Sequence, residues 1–252
     1  MSEHLSVEIA ERIMTVRFER PQKKNALTRD MYQGLVEAIK TVAEDDGLRV
    51  LLLTGSGDSF TAGNDINDFL KYPPSDEASP VNAFLAALPA IEKPFVVAVN
   101  GLAVGIGTTM LLHADLVYAA RSARFKMPFV DLAIVPEAGS TFLLPRMLGR
   151  AKASELLLLA KEFDAAEAEE LGLVNAVVPD DELFERAMEA ARALAAKPPQ
   201  AVKLTKKLLR GHQEPVLKAM AEEGKIIAER IRSDEAREVF TAFMEKRPPK
   251  FD

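Results

Sequence analysis

An α/β fold with a mostly parallel core sheet and a C-terminal helical subdomain is what this chain predicts, on three observations. Apolar runs of strand length alternate with segments of helical spacing up to about residue 190, and such alternation implies right-handed crossovers between parallel strands. Beyond that point no strand-like run remains, and only helical patterns follow. The length, 252 residues, is enough to bury a sizeable core.

The elements follow in order. Val7 and Ile9, then Ile13, Val16 and Phe18, alternate with other residues about a break at Glu11-Arg12, which predicts two antiparallel strands. Thr28 is placed to cap a helix that carries Met31, Leu35, Ile39 and Val42 at helical spacing, and a strand follows at 49–54. A helix around 81–91 leads into a strand at 95–99, a small-residue helix at about 105–113 and a strand at 116–120. Lys197-Pro-Pro199 then breaks the chain, and helices are expected at 201–209, 215–231 and 234–246. We therefore divide the chain into an α/β core, residues 1–195, and a helical subdomain, residues 196–252. The segment 71–80, rich in proline and polar residues, sustains neither a helix nor a central strand and is expected to be mobile.

Composition narrows the function. The longest uncharged apolar run falls short of a bilayer span, and Glu3, Glu8 and Glu11 already interrupt the start. Neither a transmembrane helix nor a targeting peptide is expected, and the C-terminal Pro248-Pro-Lys-Phe-Asp252 is no address tag, so the expected location is the cytoplasm. With no Cys, disulfides, thiolate metal sites and cysteine nucleophiles are excluded. The net charge of -6 argues against a nucleic-acid surface, and an anionic ligand would need a local basic patch.

Two small-residue segments carry the chemistry. Phe60-Thr-Ala-Gly-Asn-Asp-Ile66 and Asn100-Gly-Leu-Ala-Val-Gly-Ile-Gly107 each follow a predicted strand. Glycines there let the backbone turn tightly and approach a bound group. Two such turns can aim N–H groups at one oxygen, an oxyanion hole suited to carbonyl activation. A nucleotide loop does not fit, since neither segment has the Lys-Ser/Thr of a phosphate loop or a full GxGxxG with a spaced acid. The three histidines, His4, His113 and His212, are too scattered for a metal site, and His113-Ala-Asp115 reads as a structural cap at a helix end. No Gly-x-Ser-x-Gly elbow is present. The remaining carboxylate is Glu137, in Leu132-Ala-Ile-Val-Pro-Glu-Ala-Gly-Ser-Thr141. At the start of a helix it would complement the dipole; buried among Val135 and Ala138 it would instead have a raised pKa suited to proton shuttling.

These segments, with Arg20-Pro-Gln-Lys-Lys-Asn-Ala-Leu27, Phe125-Lys-Met-Pro-Phe129 and Ala168-Glu-Glu-Leu-Gly-Leu-Val-Asn175, resemble the crotonase, or enoyl-CoA hydratase/isomerase, superfamily over essentially the whole chain. The resemblance implies the crotonase-like fold of repeated ββα units with a C-terminal helical subdomain. It assigns an oxyanion hole to the backbone N–H groups of Asn64 and Ile106, gripping an acyl-CoA thioester carbonyl. Lys23, Lys24 and Ala26 would lie along the CoA pyrophosphate and adenine, with Ala62, Asp65 and Ile66 lining the adenine and pantetheine side. The two lysines would supply the local basic patch, although ordinary solvated surface is the other reading of them.

The resemblance also marks a departure. A typical hydratase of the superfamily uses two glutamates, and those positions match Thr109 and Phe129, which would line the acyl pocket. Neither can replace a carboxylate base near neutral pH. Glu137 matches the single catalytic glutamate of the Δ3,Δ2-enoyl-CoA isomerase branch. The implied activity is therefore cofactor-independent movement of a 3-enoyl-CoA double bond to the 2 position. Two alternatives stand beside it: a hydratase using Glu137, Asp68 or Asp131, and a non-catalytic acyl-CoA-binding homologue. The resemblance further implies a homotrimer or dimer of trimers, with the apolar stripe Val216, Met220, Ile227 and Ile231 either packing across subunits or covering its own core. The acyl pocket would be bordered by residues 70–88.

Overall fold

A continuous apolar run that is buried on both faces reads as a central strand, and the longest runs of this chain form the heart of one sheet. In a computed structural model, residues 2–72 and 79–251 are described; most of the proline-rich segment expected to be mobile lies outside them. The strands are β1 (Leu5–Ala10), β2 (Ile13–Phe18), β3 (Val50–Gly55), β4 (Ser59–Thr61), β5 (Phe95–Val99), β6 (Leu102–Val104), β7 (Leu116–Ala120), β8 (Arg124–Lys126), β9 (Phe163–Asp164) and β10 (Ala176–Val178). The helices are α1 (Arg29–Glu44), α2 (Ile66–Lys71), α3 (Pro80–Ala90), α4 (Ile106–Thr109), α5 (Ser140–Leu148), α6 (Arg150–Leu158), α7 (Ala165–Glu170), α8 (Leu183–Ala195), α9 (Pro199–Arg210), α10 (Glu214–Arg230) and α11 (Asp234–Glu245).

Two sheets result. A six-stranded sheet has the order β1-β2-β3-β5-β7-β10, parallel throughout except for the β1–β2 hairpin. A four-stranded sheet has the order β4-β6-β8-β9. Three times a long strand of the first sheet runs on into a short strand of the second and then toward a helix: β3 into β4, β5 into β6, β7 into β8. This is the repeated ββα unit that the resemblance implies. The three-residue strands β4 and β6 occupy part of what the sequence presents as glycine turns, because three residues are too few for an alternating pattern to register.

The period of two in each long strand divides the core. Leu51, Leu53, Val97, Val99, Val117 and Ala119 pack on the side of α1 and α3, whereas Val50, Leu52, Val96, Ala98 and Tyr118 face α8. Thr28 caps α1 as expected, its hydroxyl accepting from the Met31 N–H. The helix expected after Glu137 is α5, whereas α6 to α8 have no individual counterpart among the expected elements.

Polar anchors tie residues 196–252 to the rest. Lys206 of α9 is buried and donates to Lys93 O and to Asp115 Oδ2, both at 2.6 Å. Burial holds its pKa down at about 8. Arg210 donates to the carbonyls of Pro89, Ile91 and His113. Asp115, expected within a helix cap, instead ties α9 to the sheet, also accepting from the Phe95 N–H. The stripe on α10 is resolved at one end: Val216 and Met220 lie over Gly139 of their own chain. Among the described residues no helix is long and apolar enough to cross a membrane.

Candidate active site

The pairing of β4 with β6 brings the two glycine segments side by side. Gly63 has φ +85°, and a Cβ there would stand 2.8 Å from Val104 O; one on Gly107 would stand 2.6 Å from Thr61 Cγ2 and 3.1 Å from Thr61 O. Only glycine permits this back-to-back contact. Asn64 and Ile106, each next to one of these glycines, are thereby held on adjoining turns. Among the described residues neither of their N–H groups has an acceptor. For Ile106 the reason is its place as the first residue of α4, where helix donors lack intrahelical partners.

The loop before α1 packs on the first of these turns. Ala62 N donates to Lys24 O, Leu27 N to Gly63 O, and Asp65 N to Leu27 O. Asn25, fully buried with φ +53°, fastens the loop by donating from Nδ2 to Ser56 O and Ser59 O. The structure thus gathers Lys23, Lys24, Ala26, Ala62, Asp65 and Ile66, with both lysines exposed and Ala26, Ala62 and Ile66 half-buried. Asp65 is engaged within the fold: it accepts from Arg20 at 2.7 Å and caps α2 through the Asp68 N–H. Burial pushes its pKa up, but the Arg20 bond and charge and the backbone donors outweigh this and hold it below the usual value. Asp68 accepts from the Arg29 N–H at 2.8 Å, and Asp131 is a half-exposed surface partner of Lys126. Neither is a free buried base.

Glu137 precedes α5 in a turn whose next two residues, Ala138 and Gly139, have φ +58° and +71°. Its carbonyl accepts from Ser140 N and Ser140 Oγ, so the residue stands before the helix and its carboxylate does not serve as the dipole partner. That service comes from Glu223 of α10, which accepts from Gly139 N, Thr141 N and the Thr141 hydroxyl. The Glu137 side chain is buried, 8% exposed, and accepts from Thr109 Oγ1 at 2.6 Å. Burial raises its pKa to about 7; the Thr109 bond pulls it down and the charge of Glu223 pushes it up.

Three side chains make contacts here that no local pattern in the sequence announces. Thr109 holds the carboxylate itself. His113 is buried, and its Nε2 lies 2.7 Å from Ala138 O. A carbonyl only accepts, so Nε2 bears the proton; burial, with Arg210 adding to it, holds the His113 pKa down at about 4. His113 is therefore neutral and anchors the turn instead of capping a helix. Tyr32 of α1 is buried, tilts against Phe84 of α3 and donates its hydroxyl proton to Asn64 Oδ1. Burial, then the charges of Glu137 and Asp68, hold that proton firmly on Tyr32.

These contacts join the parts. Thr109, three residues along α4 from Ile106, bonds Glu137, while Tyr32 bonds Asn64 and feels the Glu137 charge. Phe129 is buried in the same apolar cluster as Ile106, Met110, Tyr32 and Phe84. A buried carboxyl that titrates near neutrality, joined through Thr109 to the helix that opens with the Ile106 N–H, has the chemistry to move a proton next to a carbonyl whose oxygen is held.

A family model described as enoyl-CoA hydratase/isomerase matches residues 8–252. The chain is 36% identical to 1,2-epoxyphenylacetyl-CoA isomerase of Escherichia coli K12, over all of this chain and 99% of that one. It is 35% identical to human enoyl-CoA delta isomerase 2 across 97% of this chain, spanning 64% of that protein. Hydratases stand at comparable identity, crotonyl-CoA hydratase of Syntrophomonas wolfei at 35% over 99% and 98% of the two chains. The crystal structure of an enoyl-CoA hydratase/isomerase from Pseudoalteromonas atlantica T6c superposes with a TM-score of 0.95 at 43% identity, covering 99% of this chain and 100% of that one.

Proposed function

The chain belongs to the enoyl-CoA hydratase/isomerase family, and from that premise we propose that it moves the double bond of a 3-enoyl-CoA to the 2 position, with Glu137 as the only acid/base. The observation that carries this reading is the buried Glu137 carboxyl, titrating at about 7 and bonded to Thr109. By resemblance, the two positions where a hydratase carries its glutamates are Thr109 and Phe129.

The reaction runs on one carboxylate. The thioester oxygen lies between the N–H groups of Asn64 and Ile106. The C2 protons of a 3-enoyl thioester are acidified by both the carbonyl and the alkene, and Glu137 removes one of them. The C2–H electron pair becomes the C1=C2 bond of a dienolate, whose oxygen carries the negative charge against the two donors. Glu137 returns the proton to C4: the C3=C4 pair forms the new C4–H bond, the C1=C2 pair moves to C2=C3, and a lone pair of the oxyanion restores the carbonyl. No water, metal or further cofactor is consumed, because CoA is part of the substrate. A carboxyl pKa near operating pH lets the same group take and give the proton, and apolar neighbours such as Phe129 keep water away.

Lys23 and Lys24, exposed on the loop beside Ala62, supply positive charge for the CoA phosphates. A homotrimer or dimer of trimers is the expected assembly, in keeping with Leu208 and Leu209 of α9, which are 81% and 83% exposed on the single chain. Light scattering tests it.

The functional test supplies 3-hexenoyl-CoA and crotonyl-CoA to the wild type and to Glu137→Gln and follows conjugated enoyl-thioester absorbance. Absorbance gained with 3-hexenoyl-CoA and lost on mutation supports the isomerase. Rapid loss of crotonyl-CoA absorbance with both proteins refutes it.

A further inference from the structure

The turn that carries Glu137 is held in an unfavourable shape. Ala138, with a Cβ, sits at φ +58°, a region that costs an L-residue about 1 kcal/mol or more. Such a conformation persists only when its surroundings impose it. Two side chains do so from opposite sides: His113 binds the Ala138 carbonyl, and Glu223 binds the Gly139 amide at 2.7 Å. Glu223 comes from α10, distant in sequence and 4% exposed. Val216 and Met220, at positions i-7 and i-3 on the same helix face, cover Gly139, where a Cβ would meet Val216 Cγ1 at 3.0 Å. Each oxygen of Glu223 accepts: Oε2 from Gly139 N, and Oε1 from the N–H and hydroxyl of Thr141. A carboxylate satisfies all three donors.

We propose that Glu223 is a positioning residue for Glu137: it locks the 137–139 turn from the C-terminal helices and places a second negative charge behind the acid/base. The inference rests on Glu137 being the acid/base. Three titratable groups surround Glu137. Tyr32 from α1 stays protonated, and His113, which follows α4, stays neutral. Glu223 from α10 is the group whose charge acts on Glu137; burial pushes its own pKa up, while the bonds from Thr141 and Gly139 favour its ionised form. On α5, the neighbour that faces Glu223 is the uncharged Thr141. Glu223 thus links the docking of the C-terminal helices to the proton affinity of the site. A purely structural cap would hold α5 without moving that affinity.

The test compares wild type, Glu223→Gln and Glu223→Asp by two readouts. One is the infrared titration of the Glu137 carboxyl, assigned by its loss in Glu137→Gln and independent of any substrate; the other is kcat against pH with 3-hexenoyl-CoA. Glu223→Gln removes the charge and one acceptor oxygen, so the Glu137 midpoint falls by about one pH unit and kcat falls about tenfold or more. Glu223→Asp keeps the charge on a shorter arm, so kcat falls while the midpoint stays near wild type. A wild-type midpoint in folded Glu223→Gln overturns the proposal, as does a wild-type kcat in Glu223→Asp. A shifted Glu137 titration in an enzyme that never isomerises 3-hexenoyl-CoA would uphold the coupling and refute the reaction assigned to the site.

Discussion

The hydroxyl of Thr109 donates to Oε1 of Glu137 across 2.6 Å, with both side chains buried. By resemblance, the threonine occupies a position where a hydratase carries a carboxylate. Here it has become a support for the carboxylate that remains. A single hydrogen bond thus joins the helix that starts at Ile106 to the carboxyl we propose as the acid/base.

Thr109→Val keeps the shape of the side chain and removes the bond. Hydrogen bonds to charged groups are worth about 1.5–3 kcal/mol, so kcat should fall about 10- to 100-fold. The bond favours the ionised form of Glu137, so the acid limb of the pH profile should move to higher pH in this variant. Thr109→Ser should keep both properties near wild type.

Glu137 weakens the fold as pH rises. Its pKa is 4.5 ordinarily and about 7 in the folded protein, so the folded state holds the proton more tightly than the unfolded chain. Its stabilising contribution is full below the unfolded value and is lost as pH rises through the folded one. The shift corresponds to about 3 kcal/mol. Urea unfolding should show Glu137→Gln gaining on wild type by up to this amount between pH 5 and 8 while activity falls by about 10³-fold.

His113 acts at the other end of the scale. Its pKa drops from 6.5 to about 4 on folding, so the unfolded chain takes up the proton first. Stability should be lost as pH falls through that window, again by about 3 kcal/mol at full extent. His113→Gln, which keeps an N–H for Ala138 O, should flatten the acid dependence in urea titrations. His113→Leu lacks that donor and should also lower kcat.

Gly107→Ala tests the close approach of the two turns. The new Cβ would meet Thr61 Cγ2 at 2.6 Å and Thr61 O at 3.1 Å, so the β4 and β6 turns must separate. We expect kcat to fall about tenfold or more as the donor pair loses its aim, with the Glu137 midpoint unchanged in the infrared titration.

The long strands were legible because continuous apolar runs such as 50–54 and 95–99 fit a sheet buried on both faces. The second sheet was not, since β4, β6 and β8 have three residues each and pattern needs length. The glycine segments announced backbone geometry, Glu137 stood out as the remaining carboxylate, and resemblance matched it to a catalytic position. The contacts that support it left no trace: Thr109 lies 28 residues away, His113 25 from Ala138, and Glu223 84 from Gly139. Contacts of that separation exist only after the chain has folded. Asp65, matched by resemblance to the CoA side, shows a carboxylate engaged within the fold: it binds Arg20 and caps a helix.

On the proposed mechanism Glu137 carries one proton from C2 to C4 of a 3-enoyl thioester. The direct measurement is the fate of deuterium in 3-hexenoyl-CoA labelled at C2, read by NMR of the 2-hexenoyl product. Deuterium is expected at C4 with the wild type, and turnover lower by about 10³-fold in Glu137→Gln. Turnover of the labelled substrate at wild-type rate by Glu137→Gln, or none by the wild type, would contradict it.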